Sequence, residues 1–324
     1  MSPRISRRIA LKVLGAGMAL PLGVLALRSV RDAPAPVRWN GTALGALASM
    51  TLWHPNPAVA RHAITRMRIE VGRLEDIFSL HRPSSELVRL NRSGRLDAPS
   101  RDLLNVFDHS LRMADLSNGA FDPTIQPLWQ FHAAGGLTVR GFSGLRAVLA
   151  RIDHTAVELR ANSMRFGRPG MAASLNGIAQ GYITDRVTEI LGNEGFENAV
   201  IELGETRALG AAPDGDPFSI DLVSPASPTA LDREVPLANA ALAVSGGYGT
   251  PFHGTGSHHI FDPATGKSPR ELVQVAVISP KATAADALST AIYVAGEQAA
   301  RGLLSSYPSS RAILFRSDGT SAEL

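Results

Sequence analysis

Late in the chain the sequence reads Val273-Gln274-Val275-Ala276-Val277-Ile278, a run rich in β-branched residues that predicts a strand. A helix is predicted soon after it, over Asp286–Gly296. Other strands are predicted over Ala156–Leu159, Ser163–Phe166, Ala199–Leu203, Phe218–Val223, Ala241–Val244 and Ala312–Phe315. Apolar residues three and four positions apart predict earlier helices over Ala58–Ile77, Asp102–Ser117, Phe142–Arg151 and Gly181–Leu191. Helices early and strands late indicate an α+β protein rather than a regular βαβ alternation.

Length and composition limit the class of protein. With 324 residues, 44% hydrophobic and 19% charged, the chain is long enough to bury a sizeable core in one large domain or two modest ones. The same balance excludes a disordered or collagen-like polymer. The absence of cysteine excludes a disulfide framework, a thiolate zinc site and a cysteine nucleophile.

The formal charge of +3 is distributed unevenly along the chain. Residues 1–31 contain no acidic residue and six basic ones, which are Arg4, Arg7, Arg8, Lys12, Arg28 and Arg31. The remainder holds 26 basic against 29 acidic residues, a formal charge of −3. This mildly acidic remainder removes the main electrostatic argument for a nucleic-acid partner.

The first 31 residues have the pattern of an export signal. Arg7-Arg8 precedes Val13–Leu27, fifteen residues without a charge, and a basic region followed by an apolar one is typical of a signal peptide. The apolar stretch is short for a membrane span, which needs about 20 residues. The paired arginines favour a twin-arginine-like signal over 1–31, with an ordinary secretory signal or an uncleaved anchor as alternatives. We therefore expect a periplasmic protein.

The remaining chain divides into an entry segment and one domain. Residues 32–46 are rich in Pro, Gly and Ala and are predicted to be a linker, so the folded domain is assigned to 47–324. Within that domain, Ala211–Pro236 contains five prolines and is predicted to be an irregular excursion.

Two glycine-containing segments can bring the main chain close to a ligand. Gly119-Ala120-Phe121-Asp122-Pro123 places a rigid turn after a helix, with a capped turn and a buried Phe121 as the alternative. In Asn176-Gly177-Ile178-Ala179-Gln180-Gly181, two glycines open a helix and can present main-chain amides to an anion. This segment lacks the Lys-Ser/Thr pair of a Walker A loop and the G-x-G-x-x-G spacing of a dinucleotide fingerprint.

Two other segments carry side chains suited to catalysis or metal binding. His258 and His259 are adjacent, and neighbours on a strand point to opposite faces, so at most one of them faces a pocket. A packed or surface imidazole is the alternative for either. Asp286 and Thr290 lie four residues apart on a helix, which puts both oxygens on one face as hard ligands suited to Mg²⁺. A helix cap in the first turn is the alternative for Asp286.

Taken together, the order and spacing of these four segments resemble the flavin transferase family of the ApbE type. The resemblance runs from about Ser49 to Thr290 and includes Phe78-Ser79 and Ser85–Asn91. It implies a single α+β domain in which mixed or antiparallel sheets, flanked by helices, surround a flavin groove. Members of this family move the FMN part of FAD to a threonine of a target protein.

The resemblance also implies roles for individual residues. It assigns a Mg²⁺ site to Asp286, Thr290 and the main-chain carbonyl of Ala179. It assigns flavin contacts to Ala120, Phe121, Asp122, Asn176, Tyr182, Glu205, His259, Ile260 and Phe261. His259 matches the loop near the pyrophosphate and is the predicted general base. Departures from the family pattern occur at Ser49-Met50-Thr51, His81, Ser174, Gln180 and Ser289.

The implied activity is Mg²⁺-dependent transfer of FMN from FAD to a threonine of an exported protein, with release of AMP. FAD is then the substrate, and the partner is a target protein, expected to be a membrane respiratory flavoprotein. One alternative is a flavin-binding maturation factor with little turnover, because Trp39–Gly45 and Glu205–Gly210 resemble the NosX branch, linked to nitrous-oxide reductase maturation. The other alternative is an FAD pyrophosphatase, in which water replaces the threonine hydroxyl.

Overall fold

A computed structural model describes residues 34–43, 45–225, 227–249, 251–252 and 257–324. Its strands are β1 (Val37–Ala43), β2 (Ala46–Trp53), β3 (Arg95–Asp97), β4 (Val157–Arg160), β5 (Ser163–Phe166), β6 (Asn198–Glu202), β7 (Thr206–Leu209), β8 (Phe218–Ser224), β9 (Ser227–Leu237), β10 (Ala241–Gly246), β11 (Pro251–Phe252), β12 (Ser257–His258), β13 (Leu272–Ser279), β14 (Arg311–Arg316) and β15 (Ser321–Glu323). Its helices are α1 (Pro57–Phe78), α2 (Glu86–Ser93), α3 (Arg101–Leu116), α4 (Gln126–Ala133), α5 (Gly136–Leu149), α6 (Ala179–Asn193), α7 (Ala282–Ala295) and α8 (Glu297–Ser305).

An eight-stranded antiparallel sheet forms the centre, in the order β1-β2-β6-β7-β10-β13-β14-β15. The predicted strand at 273–278 is β13, which pairs with β10 on one side and β14 on the other. Val275 of β13 lies opposite Ser245 of β10. Together with the surrounding helices, this sheet confirms the predicted α+β class.

Both faces of β13 are buried, which explains its unbroken apolar sequence. Val275 and Val277 belong to the large core that the sheet forms with the helices. Ala276 and Ile278 belong to a second core, on the opposite face, which the hairpin of β8 and β9 closes. The two faces follow the period of two along a strand. The sheet is therefore covered by helices on one side and by a hairpin on the other.

Helices α6 and α7 pack against each other on the helical side of the sheet, and α7 also contacts β10 and β13. The first residue of α6 is Ala179, directly after the turn that contains Gly177. This packing brings the start of α6 beside the middle of α7.

Two predictions about irregular segments are wrong. Residues 37–43, assigned to a linker, form β1, which is an edge strand of the main sheet and pairs with β2 along its whole length. The domain therefore begins before residue 47. Residues 211–236 contain most of the hairpin of β8 and β9, because alternate residues of β8, namely Phe218, Ile220 and Leu222, are buried against the sheet.

The start of the last long helix also differs from the prediction. Helix α7 begins at Ala282, four residues before Asp286, so Asp286 lies in the second turn. The alternative interpretation of Asp286 as a helix cap is therefore wrong.

The predicted signal peptide at 1–31 lies outside the described residues. Within the described ranges, no helix is both long enough and apolar enough to cross a membrane.

Candidate active site

A cleft with a volume of about 270 Å³ opens where α6, α7 and the end of β10 meet the segment after β12. Every predicted site residue except Tyr182 lines it, namely Ala120, Phe121, Asp122, Asn176, Ala179, Glu205, His259, Ile260, Phe261, Asp286 and Thr290. Residues that are up to 170 positions apart in the sequence are thus brought to one concave surface.

The contact between α6 and α7 is closest at Gly181. Its N–H donates a hydrogen bond of 3.0 Å to Asp286 Oδ2. A Cβ at residue 181 would lie 2.3 Å from the carbonyl oxygen of Ala282 and 2.9 Å from Asp286 Cβ. Only glycine allows this approach, so Gly181 sets the distance between the start of α6 and the Asp286 carboxylate.

Asp185 holds the amino end of α7 from one turn further along α6. Its Oδ1 accepts hydrogen bonds from Ala282 N at 3.0 Å and Arg207 Nη1 at 2.7 Å. Its Oδ2 accepts from Thr283 N at 2.9 Å and Thr283 Oγ1 at 2.7 Å. These bonds satisfy amides at the start of α7 that no residue of that helix can pair. Asp185 therefore caps α7, which is the role that the alternative interpretation of the sequence assigned to Asp286.

Two buried carboxyl groups, Asp286 and Glu205, and the partly buried Glu202 have no basic partner among the described residues. Burial raises the pKa of Asp286 to about 7, although the Gly181 hydrogen bond acts in the opposite direction. Burial, and then the charge of Asp286, raise the pKa of Glu205 well above its usual value. Burial also raises the pKa of Glu202 to about 7, against a hydrogen bond from Ser49. The cleft floor is therefore an environment that favours a cation or bound protons.

Hydroxyl groups surround Thr290. Ser245 Oγ lies 3.1 Å from Thr290 Oγ1 and 2.8 Å from Ser289 Oγ. On the other side, a Cβ at Gly177 would lie 3.0 Å from Thr290 Oγ1. The turn before α6 and the end of β10 thus enclose the Thr290 hydroxyl on α7.

The donor set fits a hard divalent cation. Asp286, Thr290 and Ala179 all line the cleft, and they carry a carboxylate, a hydroxyl and a main-chain carbonyl respectively. Glu205 Oε2 is buried and accepts no hydrogen bond from any described residue, so this oxygen is left for a cation or a proton. No group of three or more His, Cys, Asp or Glu side chains suited to a metal occurs in the described part of the chain. A cation would therefore depend on mixed oxygen ligands.

The two adjacent histidines have different surroundings. His258 is part of the framework: its Nε2 lies 3.1 Å from the Pro269 carbonyl and 3.2 Å from the Tyr293 hydroxyl, and its Nδ1 accepts from Ile260 N at 3.3 Å. Burial lowers the pKa of His258, which favours the neutral ring. His259 lines the cleft. Only one of the pair lines the cleft, as the strand geometry predicts.

The turn at 120–122 supports the cleft wall mainly through its main chain. Asp122 Oδ1 accepts from Thr124 N at 2.7 Å and Thr124 Oγ1 at 2.6 Å, while Oδ2 lies 3.1 Å from both His154 N and His154 Nδ1. Oδ1 thus closes the turn itself, and Oδ2 ties the turn to the segment at His154. Phe121 is 5% exposed and lies beside Gly177. The capped-turn interpretation and the cleft-lining interpretation both hold for this segment.

Tyr182 does not line the cleft, and its flavin contact stays a prediction. Its hydroxyl donates to Asp102 Oδ1 at 2.7 Å, and its ring packs edge-on against Phe78. Tyr182 borders a second cavity on the other side of α6.

Sequence reasoning missed several residues that line the cleft. Ser245 is the most consequential, because it touches both Ser289 and Thr290. The available signal was its place between a predicted strand and Gly246-Gly247. The apolar lining residues Ile125, Trp129, Val244, Pro263 and Val294 were also missed. An apolar wall of a cleft has no sequence pattern that separates it from the core.

Comparisons with known proteins agree with this architecture. A model described as the ApbE family matches residues 44–315. The chain is 30% identical over 249 residues to an FAD:protein FMN transferase of Vibrio cholerae, which covers 72% of this chain and 74% of that protein. It is 27% identical over 305 residues to one of Treponema pallidum, covering 85% and 83%. The solved flavin transferase ApbE from Vibrio cholerae superposes with a TM-score of 0.76 at 25% identity, covering 90% of this chain and 97% of that one.

The fold, the cleft and these relatives identify an enzyme of the flavin transferase class, as the sequence predicts. The chain belongs to the ApbE family. Its assignment to the NosX branch stays a prediction.

Proposed function

We propose that this chain is a Mg²⁺-dependent FAD:protein FMN transferase. In this reaction the hydroxyl oxygen of a target threonine bonds to the phosphorus of the FMN phosphate. The bond from that phosphorus to the oxygen bridging to AMP breaks, AMP leaves with the bridging oxygen, and the hydroxyl proton passes to a base. The observation that carries the proposal is the position of two buried carboxyl groups, those of Asp286 and Glu205, on a cleft shared with Thr290 and the start of α6.

Asp286, Thr290 and the Ala179 carbonyl would hold the divalent cation. When bound, Mg²⁺ neutralises charge on the diphosphate and on the departing phosphate. The protein's own part is to keep these oxygens in place before substrate arrives. Gly181 fixes one Asp286 oxygen, and Asp185 fixes the start of α7. Preorganised groups of this kind cost no rearrangement during the reaction.

His259 is the proposed general base. It lines the same cleft as Asp286 and Thr290, and it follows directly after His258, whose ring bonds the main chain of Ile260. That hydrogen bond restrains the main chain on the far side of His259. A restrained imidazole can take the proton of an incoming hydroxyl.

Apolar groups at one end of the cleft suit a flavin ring. Trp129, Ile125 and Phe261 line this end. Phe261 is stacked on His132 with ring centroids 4.4 Å apart, and Trp129 packs edge-on against Phe252 at 5.8 Å. Flat aromatic walls that are themselves braced can bind a planar ring with little loss of side-chain freedom.

The proposed partner is an exported protein that carries an acceptor threonine, of the membrane respiratory flavoprotein class, and the proposed location is the periplasm. The basis is the twin-arginine-like pattern at 1–31 together with the family membership. The NosX-like segments at 39–45 and 205–210 favour an acceptor in nitrous-oxide respiration.

One experiment separates this proposal from its two alternatives. The protein is incubated with FAD, Mg²⁺ and a candidate acceptor domain, and the mixture is analysed for fluorescent acceptor and for AMP. Labelled acceptor with AMP supports the transferase. AMP without label supports the pyrophosphatase, and bound flavin without either supports a maturation factor with little turnover.

The matched variants for this assay are Asp286→Ala and Asp97→Ala. Asp97 is exposed on β3, away from the cleft lining, so its loss controls for general effects of removing a carboxylate. We expect labelling to depend on Asp286 and on Mg²⁺, and not on Asp97. Labelling that survives Asp286→Ala would show the metal assignment to be wrong.

A further inference from the structure

The hydroxyl groups of Ser245, Ser289 and Thr290 form a continuous chain behind the cleft. Ser245 is at the end of β10 and is 8% exposed, and Ser289 on α7 is 1% exposed. Ser245 Oγ contacts Ser289 Oγ at 2.8 Å and Thr290 Oγ1 at 3.1 Å. Ser289 Oγ also contacts the Asp286 main-chain carbonyl at 2.9 Å. The chain thus begins at one proposed metal ligand and ends on the main chain of another.

The direction of these hydrogen bonds follows from counting protons. A carbonyl oxygen cannot donate, so the single hydroxyl proton of Ser289 goes to Asp286 O. The contact between Ser289 and Ser245 must then use the proton of Ser245. The contact between Ser245 and Thr290 is left with the proton of Thr290. Because three hydroxyl protons serve three hydrogen bonds, only this set of directions satisfies all of them.

The consequence concerns the lone pairs of Thr290. Its hydroxyl proton points to Ser245, which leaves the oxygen lone pairs for another partner. A hydroxyl that presents lone pairs rather than a proton is the form that can ligate a cation. The reverse orientation would aim the proton at the cation.

We propose that Ser245 is a positioning residue that sets the hydroxyl of Thr290 as an oxygen ligand for a divalent cation. This inference rests on the proposed function, because it deepens the assignment of Thr290. Ser289 supports Ser245 by fixing the direction of its proton. Neither serine is itself a ligand; each acts through Thr290, as residues behind a metal site orient the groups that bind the metal.

The hydroxyl chain also ties the main sheet to α7 beside the cleft. Ser245 lies opposite Val275 on the central strand pair β10–β13, so its position is set by the core of the fold. Thr290 is confined on its other side by Gly177. A rigid strand and a glycine turn therefore bracket the hydroxyl.

The test measures cation binding directly, without FAD. Mn²⁺ is titrated into the full-length protein, and the loss of the free Mn²⁺ signal in electron paramagnetic resonance gives the affinity. Ser245→Ala should weaken Mn²⁺ binding about tenfold, the lower end of the usual effect of groups that orient metal ligands. Ser289→Ala should weaken Mn²⁺ binding less, because the Ser245 hydroxyl remains but the direction of its proton is no longer fixed. Ser245→Thr keeps a hydroxyl and should retain more affinity than Ser245→Ala.

Ser279→Ala is the matched control. Ser279 is a buried serine on β13 whose Oγ accepts from Ser310 Oγ at 2.9 Å, and it lies outside the cleft lining. Its loss removes a similar serine–serine bond, so melting temperatures of the Ser279 and Ser245 alanine variants should fall comparably. Only the Ser245 variant should lose Mn²⁺ affinity.

The outcomes separate this inference from the proposed function. If wild-type protein binds Mn²⁺ through Asp286 and Ser245→Ala binds as tightly as Ser279→Ala, the inference is overturned and the metal site stands. If wild-type protein binds no Mn²⁺, or if Asp286→Ala binds Mn²⁺ with unchanged affinity, both the inference and the proposed metal site are overturned. Should Ser245→Ala fail to fold, Ser289→Ala decides the matter, since unchanged affinity in that variant contradicts the directed chain.

Discussion

The main-chain N–H of Gly181 and the carboxylate of Asp286 are joined by a hydrogen bond of 3.0 Å across the contact of α6 and α7. The bond ties the first turn of one helix to the second turn of the other. It also uses one Asp286 oxygen, Oδ2, as an acceptor. The separation of the two helices, the aim of the carboxylate and the shape of the cleft floor are therefore set by the same two residues.

Gly181→Ala should separate the two helices. The added Cβ would meet the Ala282 carbonyl at 2.3 Å, a main-chain atom that cannot move alone. We expect a loss of about 1–3 kcal/mol in the free energy of unfolding, together with weaker cation binding and slower flavin transfer. Thermal unfolding and the labelling assay measure these effects.

Gly192 on the same helix provides the control for that change. A Cβ there would find its nearest neighbour, Leu209 Cδ1, at 3.9 Å, which is an ordinary contact. Gly192→Ala should be neutral or stabilising by about 0.5–1 kcal/mol, because alanine restricts the unfolded chain more than glycine does. Equal effects at 181 and 192 would contradict the packing argument.

Much of this arrangement could be predicted from the sequence, because the hydrophobic and β-branched residues form clear local patterns. The β-branched run at 273–278 and the apolar spacing along 58–77 each determine one element, and both elements form. Asp286 and Thr290 are four residues apart, so they lie on one face of the helix wherever that helix begins. The segments that failed, β1 and β9, each form one strand of an antiparallel hairpin, β1 with β2 and β9 with β8, and this pairing outweighs the local excess of Pro and Gly.

The limits at the site have the same physical origin. Asp185 has no local signal for its role, and Ser245 has only its place before Gly246-Gly247, because their partners lie 97 and 45 residues away. Tyr182 turns its hydroxyl to Asp102, a partner 80 residues away that no local pattern indicates. Sequence reasoning found most of the polar residues that line the cleft, and missed Ser245, the apolar wall and the supporting Asp185.

Asp286→Asn should make the metal-free protein more stable at pH 8 while abolishing flavin transfer. At this pH the carboxylate, whose pKa burial raises to about 7, is mostly ionised and lacks a basic partner among the described residues. Replacing it with a neutral group should raise the free energy of unfolding by roughly 1 kcal/mol. The measurement is thermal unfolding with and without Mg²⁺.

Wild-type protein supplies the comparison for Asp286→Asn. It should gain melting temperature on addition of Mg²⁺, because a ligand that binds only the folded state stabilises it. The Asn variant should gain little. A variant that is both less stable without Mg²⁺ and still stabilised by it would argue that Asp286 is a structural group rather than a ligand.

His259→Ala should slow flavin transfer about 10²–10⁴-fold while leaving FAD affinity nearly unchanged, as expected for loss of a general base. Added imidazole should restore part of the rate by occupying the space of the missing side chain. Flavin fluorescence titration and the labelling rate report the two quantities separately. His62→Ala, an exposed position on α1, is the control and should match wild type. A His259→Ala variant with full activity would exclude this residue as the base.

Glu202 should make the protein less stable as pH rises from about 4.5 to about 7. Burial raises the pKa of Glu202 from 4.5 to about 7, so in this window the folded protein holds a proton that the unfolded chain has released. The free energy of unfolding therefore falls with rising pH, by at most about 1.4 kcal/mol per pH unit for one proton, and levels off above pH 7.

Glu202→Gln tests this sign, because glutamine cannot titrate yet can still accept the hydrogen bond that Ser49 Oγ donates at 3.1 Å. Denaturant unfolding at a series of pH values should give a flatter profile for Glu202→Gln than for wild type between pH 4.5 and 7. Ser49→Ala changes the profile the other way: it removes the bond that favours the carboxylate, so the pKa of Glu202 rises further and the decline extends to higher pH. Identical profiles for all three proteins would mean that Glu202 does not hold its proton in the folded state.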